Sequence, residues 1–171
     1  MKPLPAAIRF LNKDMLEIRV VGPEDAEQVA AQRRNMFIDM GQPDDLRLQA
    51  MVEAFTPWAR NKIQEGRYRG WFAWENDRPI GGGGMYLMDF PPHWRDAQPL
   101  RGYLLNFYVE PQSRRRGVAS ALLRHAISEA QAMGIRVVSL HASEAGRPIY
   151  EHAGFDASNE MMLMMEPLAR V

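Results

Sequence analysis

Residues 103–134 constrain the fold more than any other part of this chain. A nearly continuous apolar run over residues 102–109 predicts a central strand that is buried on both faces. A short polar turn follows, and residues 117–133 then have apolar side chains in i, i+4 rows, which indicates an amphipathic helix. This order predicts a helix that packs on a sheet and begins where the strand ends.

The turn between this strand and this helix carries Arg114, Arg115, Arg116 and Gly117. The free N–H groups of a helix start and the positive end of its dipole attract anions. Glycine lets a ligand approach the backbone closely, and guanidinium groups bind phosphate oxygens. The alternative is a solvated surface run, but the position between a strand and a helix favours a site for the pyrophosphate of a cofactor.

Composition narrows the classes of function. The chain has 171 residues, 46% hydrophobic and 25% charged, and we expect a single domain over residues 1–171. The net charge is zero, so we expect no nucleic-acid or membrane partner. There is no cysteine and no cluster with metal-ligand spacing, so we expect no disulfide and no metal. Without a long apolar run or a signal-peptide pattern, we expect a cytoplasmic protein.

The rest of the chain predicts a mixed α/β sheet. Pro57 lies inside the second predicted helix and should kink or split it. Residues 76–79 are expected to form a hairpin turn, and residues 91–99 a loop. The predicted strands are residues 16–21, 68–75, 80–90, 102–109, 135–140 and 160–166, and the predicted helices are residues 23–40, 44–65, 117–133 and 147–153.

Two further patterns lie in the predicted strands. No helix follows the glycine run at residues 81–84, so it is not a phosphate loop, and we expect it to let the sheet bend or a ligand approach. Four methionines on the last strand are expected to fill the core or a subunit contact, since this side chain adapts to irregular gaps. They are Met161, Met162, Met164 and Met165.

Two motifs resemble those of the GNAT superfamily of N-acetyltransferases. The first motif is present as Arg114, Gly117 and Ala119. Its family pattern is Gln or Arg, two variable residues, Gly, one variable residue, and then Gly or Ala. The second, an aliphatic residue, Tyr, Glu, two residues and Gly-Phe, is present at residues 149–155. Residues 18–37 also look like the family's first strand and helix. Two motifs in the right order are more specific than either alone.

The resemblance implies the GNAT fold, in which a mixed, mostly antiparallel sheet of roughly six or seven strands is flanked by about four helices. It also implies a splayed pair of parallel strands, between which the arm of acetyl-CoA, the co-substrate, bonds to strand backbone. The residues that the resemblance assigns to coenzyme A are Phe107, Tyr108, Val109, Arg114, Arg115, Arg116, Gly117, Val118, Ala119, Ser120 and Ser143. Many family members have Asn where this chain has Ser143, whose hydroxyl can also form hydrogen bonds.

The activity that the resemblance implies is transfer of an acetyl group from acetyl-CoA to a primary amine by direct attack in a ternary complex. Tyr150 would be the general acid that protonates the leaving thiolate. The base is open, and we favour a water relay. In that relay Asn106 or His141 would order the water, and the alternatives to it are Glu110 and Glu144. The second candidate function is a non-catalytic coenzyme A-binding sensor or interaction module, and Tyr150 favours the enzyme.

The acceptor, the length of the acyl group and the oligomeric state are not fixed by these motifs, although the resemblance implies a homodimer. The resemblance implies a small-molecule or peptide amine as the acceptor, in a site shaped by the first two helices and their link at about residues 33–50, by residues 91–99 and by the segment after Ser143. Acidic residues there would hold a cationic amine, and arginines would hold a carboxylate. The charged residues of this region are Arg33, Arg34, Asp39, Asp44, Asp45, His93 and Arg95.

Overall fold

The computed structural model describes residues 16–163 except residues 93 and 95. Five strands in this part of the chain form one sheet: β1 (Glu17–Val20), β2 (Tyr68–Glu75), β3 (Arg78–Asp89), β4 (Leu100–Val109) and β5 (Val138–Leu140). Four α-helices accompany them: α1 (Ala26–Asp39), α2 (Leu46–Gln64), α3 (Val118–Ala132) and α4 (Arg147–His152). Short 3-10 turns at Pro23–Asp25 and Pro111–Ser113 lead into α1 and follow β4.

The strands lie side by side in chain order. β1 to β4 are antiparallel neighbours, and β5 pairs parallel to β4 after the α3 crossover. The mixed, mostly antiparallel α/β class is therefore confirmed. The prediction of six or seven strands is too high for the described residues, since residues 160–163 form no strand and residues 164–166 lie outside them.

Helices cover both faces of the sheet, because neighbouring residues of a strand point to opposite faces. Trp71 belongs to an apolar cluster that includes Leu122 of α3. The adjacent residue, Phe72, belongs to a second cluster with Val29 of α1 and Phe55 of α2. The packing therefore fixes α3 on one face and the α1–α2 pair on the other.

Two local predictions need comment. Of the predicted kink or split at Pro57, the split is wrong: α2 continues through this residue, because Phe55 and Ala59 on either side are buried against the sheet. The hairpin turn consists of Asn76 and Asp77 alone, both with positive φ, which these side chains tolerate. Pro79, predicted in the turn, lies in β3 beside a register shift, where a missing N–H disturbs the ladder least.

The described end of the chain also differs from the prediction. Met161 and Met162 are 94% and 66% exposed, so the prediction that they fill the core is wrong, since no strand pairing brings them onto the sheet. A subunit contact there stays a prediction, and Met164 and Met165 lie outside the described residues. Among the described helices, none is long and apolar enough to cross a membrane.

Candidate active site

A bulge in the middle of β4 shapes the site. Gly82 pairs with Tyr108 and Gly84 with Leu105, so β4 contains one more residue than β3 over this interval. Asn106 lies inside the bulge with a φ of 59°, a conformation that asparagine adopts more readily than most side chains. Such a bulge bends the strand and turns the following backbone and side chains away from a regular ladder.

The glycine run of β3 makes room for side chains opposite this bulge. A Cβ at position 83 would lie 3.0 Å from the Phe107 ring, and one at position 84 would collide with the Tyr68 hydroxyl. The nearest neighbours of these glycines are thus side chains of the protein itself. This close approach explains the run better than the ligand contact that the sequence suggested.

Beyond the first paired residues, β4 and β5 separate. Their parallel pairing spans Gly102–Leu104 on β4 and ends at Leu140, while β4 continues to Val109. The separation opens a cleft of about 1220 Å³ between the second half of β4, the start of α3 and the segment before α4. All the predicted site residues except Arg116 line it.

The start of α3 faces this cleft with its backbone. Gly117, with a φ of 81°, is the N-cap residue, and no side chain caps the helix. The first N–H groups of α3, on Val118, Ala119 and Ser120, have no partner within their own helix. We call residues 114–120 the arginine turn. Its backbone has the features of an anion site.

The three arginines of this turn have different surroundings. Arg114 donates from Nε to the Val109 carbonyl at 2.9 Å and forms an ion pair with Asp39 of α1, so its side chain fastens the turn to β4 and α1. Arg116 leaves the cleft and pairs with Glu75 of β2, with Nη1 to Oε2 at 3.1 Å. Arg115 lines the cleft and forms no ion pair with the described residues.

Tyr150 lies on the opposite wall, on α4. Its ring packs edge-on against Phe107 at 6.2 Å and against Phe155 at 5.9 Å between centroids. Burial raises the pKa of Tyr150 to about 12, so the hydroxyl keeps its proton at neutral pH. Ser143 lies in the loop before α4, where its hydroxyl accepts a hydrogen bond from the Gly146 N–H at 3.1 Å.

The candidates for a base are separated by the fold. Glu110 is not among the residues that line the cleft and accepts a hydrogen bond from the Tyr108 hydroxyl at 3.3 Å. Glu144 lines the cleft but is exposed at its rim. His141 also lines it, and its Nδ1 shares a hydrogen bond with the Tyr103 hydroxyl.

Asn106 uses its amide in a buried polar network. Its Oδ1 accepts from Arg33 Nη1 at 2.5 Å, and its Nδ2 donates to the Tyr68 hydroxyl at 2.9 Å. We call Arg33, Tyr68, Tyr103, Asn106 and His141 the Arg33 cluster. No sequence motif indicates a role for Tyr68 or Tyr103, because the partners in this cluster lie up to 73 positions apart and no local pattern joins them.

The splayed strands, the bulge and the uncapped helix start together surround a single cleft. The sequence model of the Acetyltransferase (GNAT) family matches residues 33–155, which is more than half of the chain. The protein therefore belongs to the GNAT acetyltransferase family, as its two motifs suggested. No curated protein matches the chain significantly.

Solved structures agree with this assignment. A GCN5-related N-acetyltransferase from Ralstonia eutropha JMP134 shares 36% identity over 91% of this chain and 99% of that chain, with a TM-score of 0.82. A predicted acetyltransferase with acetyl-CoA from Clostridium acetobutylicum shares 29% identity over 88% of this chain and 96% of that one, with a TM-score of 0.81. A ribosomal-protein-alanine N-acetyltransferase from Brucella melitensis, at 18% identity, 89% and 99% coverage and a TM-score of 0.66, shares the fold.

Proposed function

We propose that this protein transfers the acetyl group of acetyl-CoA to a primary amine, with Tyr150 as the general acid. The observation that carries the proposal is the position of Tyr150 in the same cleft as the uncapped start of α3, against Phe107 of the bulge. No group of three His, Cys, Asp or Glu side chains suited to a metal occurs in the described part of the chain.

The residues of the cleft fit the chemistry of coenzyme A. Its pyrophosphate would be bound by the backbone N–H groups of Val118, Ala119 and Ser120 and by the Arg115 guanidinium. An added Cβ at Gly117 meets nothing within 4 Å, which leaves the approach to this backbone open. Arg114 supports the site indirectly through Val109 and Asp39.

The backbone of β4 after the bulge is the second binding element. Phe107, Tyr108 and Val109 have lost their partner on the β5 side, where the parallel pairing has ended. Their backbone groups would hydrogen-bond the pantetheine arm as an added strand, and Ser143 lies across the cleft from them. A strand N–H here would stabilise the negative charge that develops on the carbonyl oxygen.

When bound, acetyl-CoA supplies an acetyl thioester that a neutral amine can attack. Tyr150 retains its proton at neutral pH and would donate it to the leaving thiolate of coenzyme A. The amine must lose a proton, because the pKa of a lysine-like amine is about 10.4. We assign this step to a water relay at the paired His141 and Tyr103, which line the cleft.

The test is thiol release from acetyl-CoA with a panel of amines, using the wild type and Tyr150→Phe. We expect kcat to fall by about 10²- to 10⁴-fold in the variant, with acetyl-CoA affinity retained. The control is Tyr86→Phe, which removes a hydroxyl from a tyrosine that packs on Trp58 and does not line the cleft. Unchanged turnover in Tyr150→Phe would refute the acid role. Tight coenzyme A binding without turnover would favour the non-catalytic module.

A further inference from the structure

The charged residues near the expected acceptor region largely neutralise one another. Arg34 forms an ion pair with Asp44, and Asp39 forms one with Arg114. The Asp45 side chain accepts hydrogen bonds from the first backbone N–H groups of α2. These groups already have partners of opposite charge or polarity, so little of their charge is available to a substrate.

Arg33 differs from these residues. The hydrogen bond to Asn106 is the only one that its side chain makes with the described residues, and none of their carboxylates forms an ion pair with it. Its Nε is buried and has no hydrogen-bond partner among the residues that the structure describes. Burial lowers the pKa of Arg33, but the group stays charged at neutral pH because its ordinary value is far higher. A half-buried cation without a counter-ion has an unfavourable free energy that a bound anion would relieve.

The Arg33 guanidinium is also held in one orientation. It lies 4.9 Å from the centre of the Phe37 ring and 4.8 Å from that of Phe55. A planar guanidinium can bind both oxygens of a carboxylate, and a side chain that is already ordered loses less entropy on binding. Arg33 lines the cleft, so an anion there can reach it.

The geometry points to Arg33 as the group that binds a carboxylate of the acceptor, which makes the acceptor an amino acid or a close analogue. This inference rests on the proposed function, since it concerns the amine that receives the acetyl group. It favours this class over polyamines and aminoglycosides, which carry no carboxylate for Arg33 to bind.

The position of Arg33 limits the distance between the carboxylate and the amine. Arg33 bonds to Asn106, and the next residue, Phe107, contacts the ring of Tyr150. Because Arg33 and Tyr150 line the same cleft, a carboxylate on Arg33 would share that cleft with the acetyl group, and we expect a short spacer between the carboxylate and the amine nitrogen. Tyr103 lines the same cleft, and the charge of Arg33 opposes the rise in the Tyr103 pKa that burial causes.

For each standard amino acid, the experiment compares three acceptors that share its side chain. They are the amino acid itself, its amide, and the amine that lacks the carboxyl carbon. Steady-state thiol release gives kcat and KM for the wild type, Arg33→Gln and Arg33→Lys. In the wild type we expect kcat/KM for at least one amino acid to exceed that of its amide by about tenfold or more. Arg33→Gln should abolish this preference, mainly through KM, and Arg33→Lys should keep part of it.

The control is Arg60→Gln, which removes an exposed arginine that pairs with Glu27 outside the cleft and should leave the preference unchanged. Thermal unfolding and acetyl-CoA affinity, measured on each variant, show whether the fold and the cofactor end are intact. Amides used as well as amino acids by the wild type, or an equal loss for both in Arg33→Gln, would overturn the inference. If Arg33→Gln does not fold, Arg33→Lys decides the comparison.

Failure of the proposed function is distinguishable from failure of this inference. If no amine supports thiol release, calorimetry of the same amino acids and amides with the coenzyme A-loaded protein replaces the kinetics. Carboxylate-dependent binding that Arg33→Gln abolishes would keep Arg33 as the anion-binding residue while acetyl transfer fails. Equal binding of amino acid and amide, or none, would overturn the inference.

Discussion

The arginine turn and the Arg33 cluster occupy the same cleft, but different kinds of contact hold them in place. The turn is seven consecutive residues whose candidate ligand groups are mostly backbone N–H groups, set by the φ of Gly117 and the start of α3. The Arg33 cluster draws one side chain each from α1, β2 and the segment after β5, and two from β4. A backbone site depends on local conformation, whereas a side-chain network depends on every partner, so mutations should affect the two differently.

The largest expected effect is in the Arg33 cluster. Asn106→Leu removes a buried amide, takes a hydrogen bond from both Arg33 and Tyr68, and places a branched side chain at a φ of 59°. The free energy of unfolding should fall by about 3 to 5 kcal/mol, from unpaired polar groups and backbone strain. Asn106→Asp keeps an acceptor for Arg33 and should lose only about 1 kcal/mol. Urea denaturation measures both, and equal losses would contradict a role for the amide contacts.

An alkaline titration tests the burial of Tyr68 in the same cluster. Burial raises the pKa of Tyr68 to about 12 from its ordinary value of 10.0, although Asn106 and Arg33 oppose the rise. Because the pKa of Tyr68 is higher in the folded than in the unfolded protein, its neutral hydroxyl contributes fully to the stability of the fold below pH 10. This contribution is lost as the pH rises through 12. The wild type should lose about 2 to 3 kcal/mol more than Tyr68→Phe between these values. If the curves of unfolding free energy against pH for the wild type and Tyr68→Phe are parallel, the prediction that Tyr68 is buried and titrates near pH 12 is contradicted.

The smallest expected effect is at the arginine turn. Gly117 has a φ of 81°, and an added Cβ meets no atom within 4 Å, so a side chain there causes backbone strain without a clash. Gly117→Ala should reduce the unfolding free energy by about 1 to 2 kcal/mol, and Gly117→Asn by less, because asparagine tolerates this conformation. Chemical denaturation measures the stability, and calorimetry with coenzyme A measures the site. Equal losses of unfolding free energy in Gly117→Ala and Gly117→Asn would contradict the prediction that the positive φ of this residue causes the destabilisation.

Local pattern was sufficient for most of the fold. The boundaries of α3 and β2 agree with the prediction to within two residues, because long runs with a clear period have few alternatives. The last predicted strand is absent over its described residues 160–163, since a run of apolar residues did not bring pairing partners. The helix does not split at Pro57, because burial of the flanking residues, which the sequence pattern did not reveal, keeps α2 continuous.

The motifs identified which residues belong to the candidate site, but only the tertiary structure shows which side chains surround each of them. Three adjacent arginines look alike in the sequence. In the structure Arg114 fastens the turn, Arg116 pairs with Glu75 outside the cleft, and Arg115 remains at the cleft. Each outcome depends on a carboxylate 41 or 75 positions away, or on the absence of one among the described residues. Such ion pairs join residues that are far apart in the sequence. The net charge that remains at the cleft therefore cannot be predicted from the sequence.

The sequence by itself determined the family, the strand–turn–helix and the glycine at its helix start, because these depend on residues close together in the chain. Only the tertiary structure decided which charges cancel and which remain. Arg33 and Asn106 meet because α1 packs across the bulge of β4, and the neighbouring acids already bond elsewhere. Electrostatic balance depends on distances between remote side chains, and those distances exist only once the chain has folded.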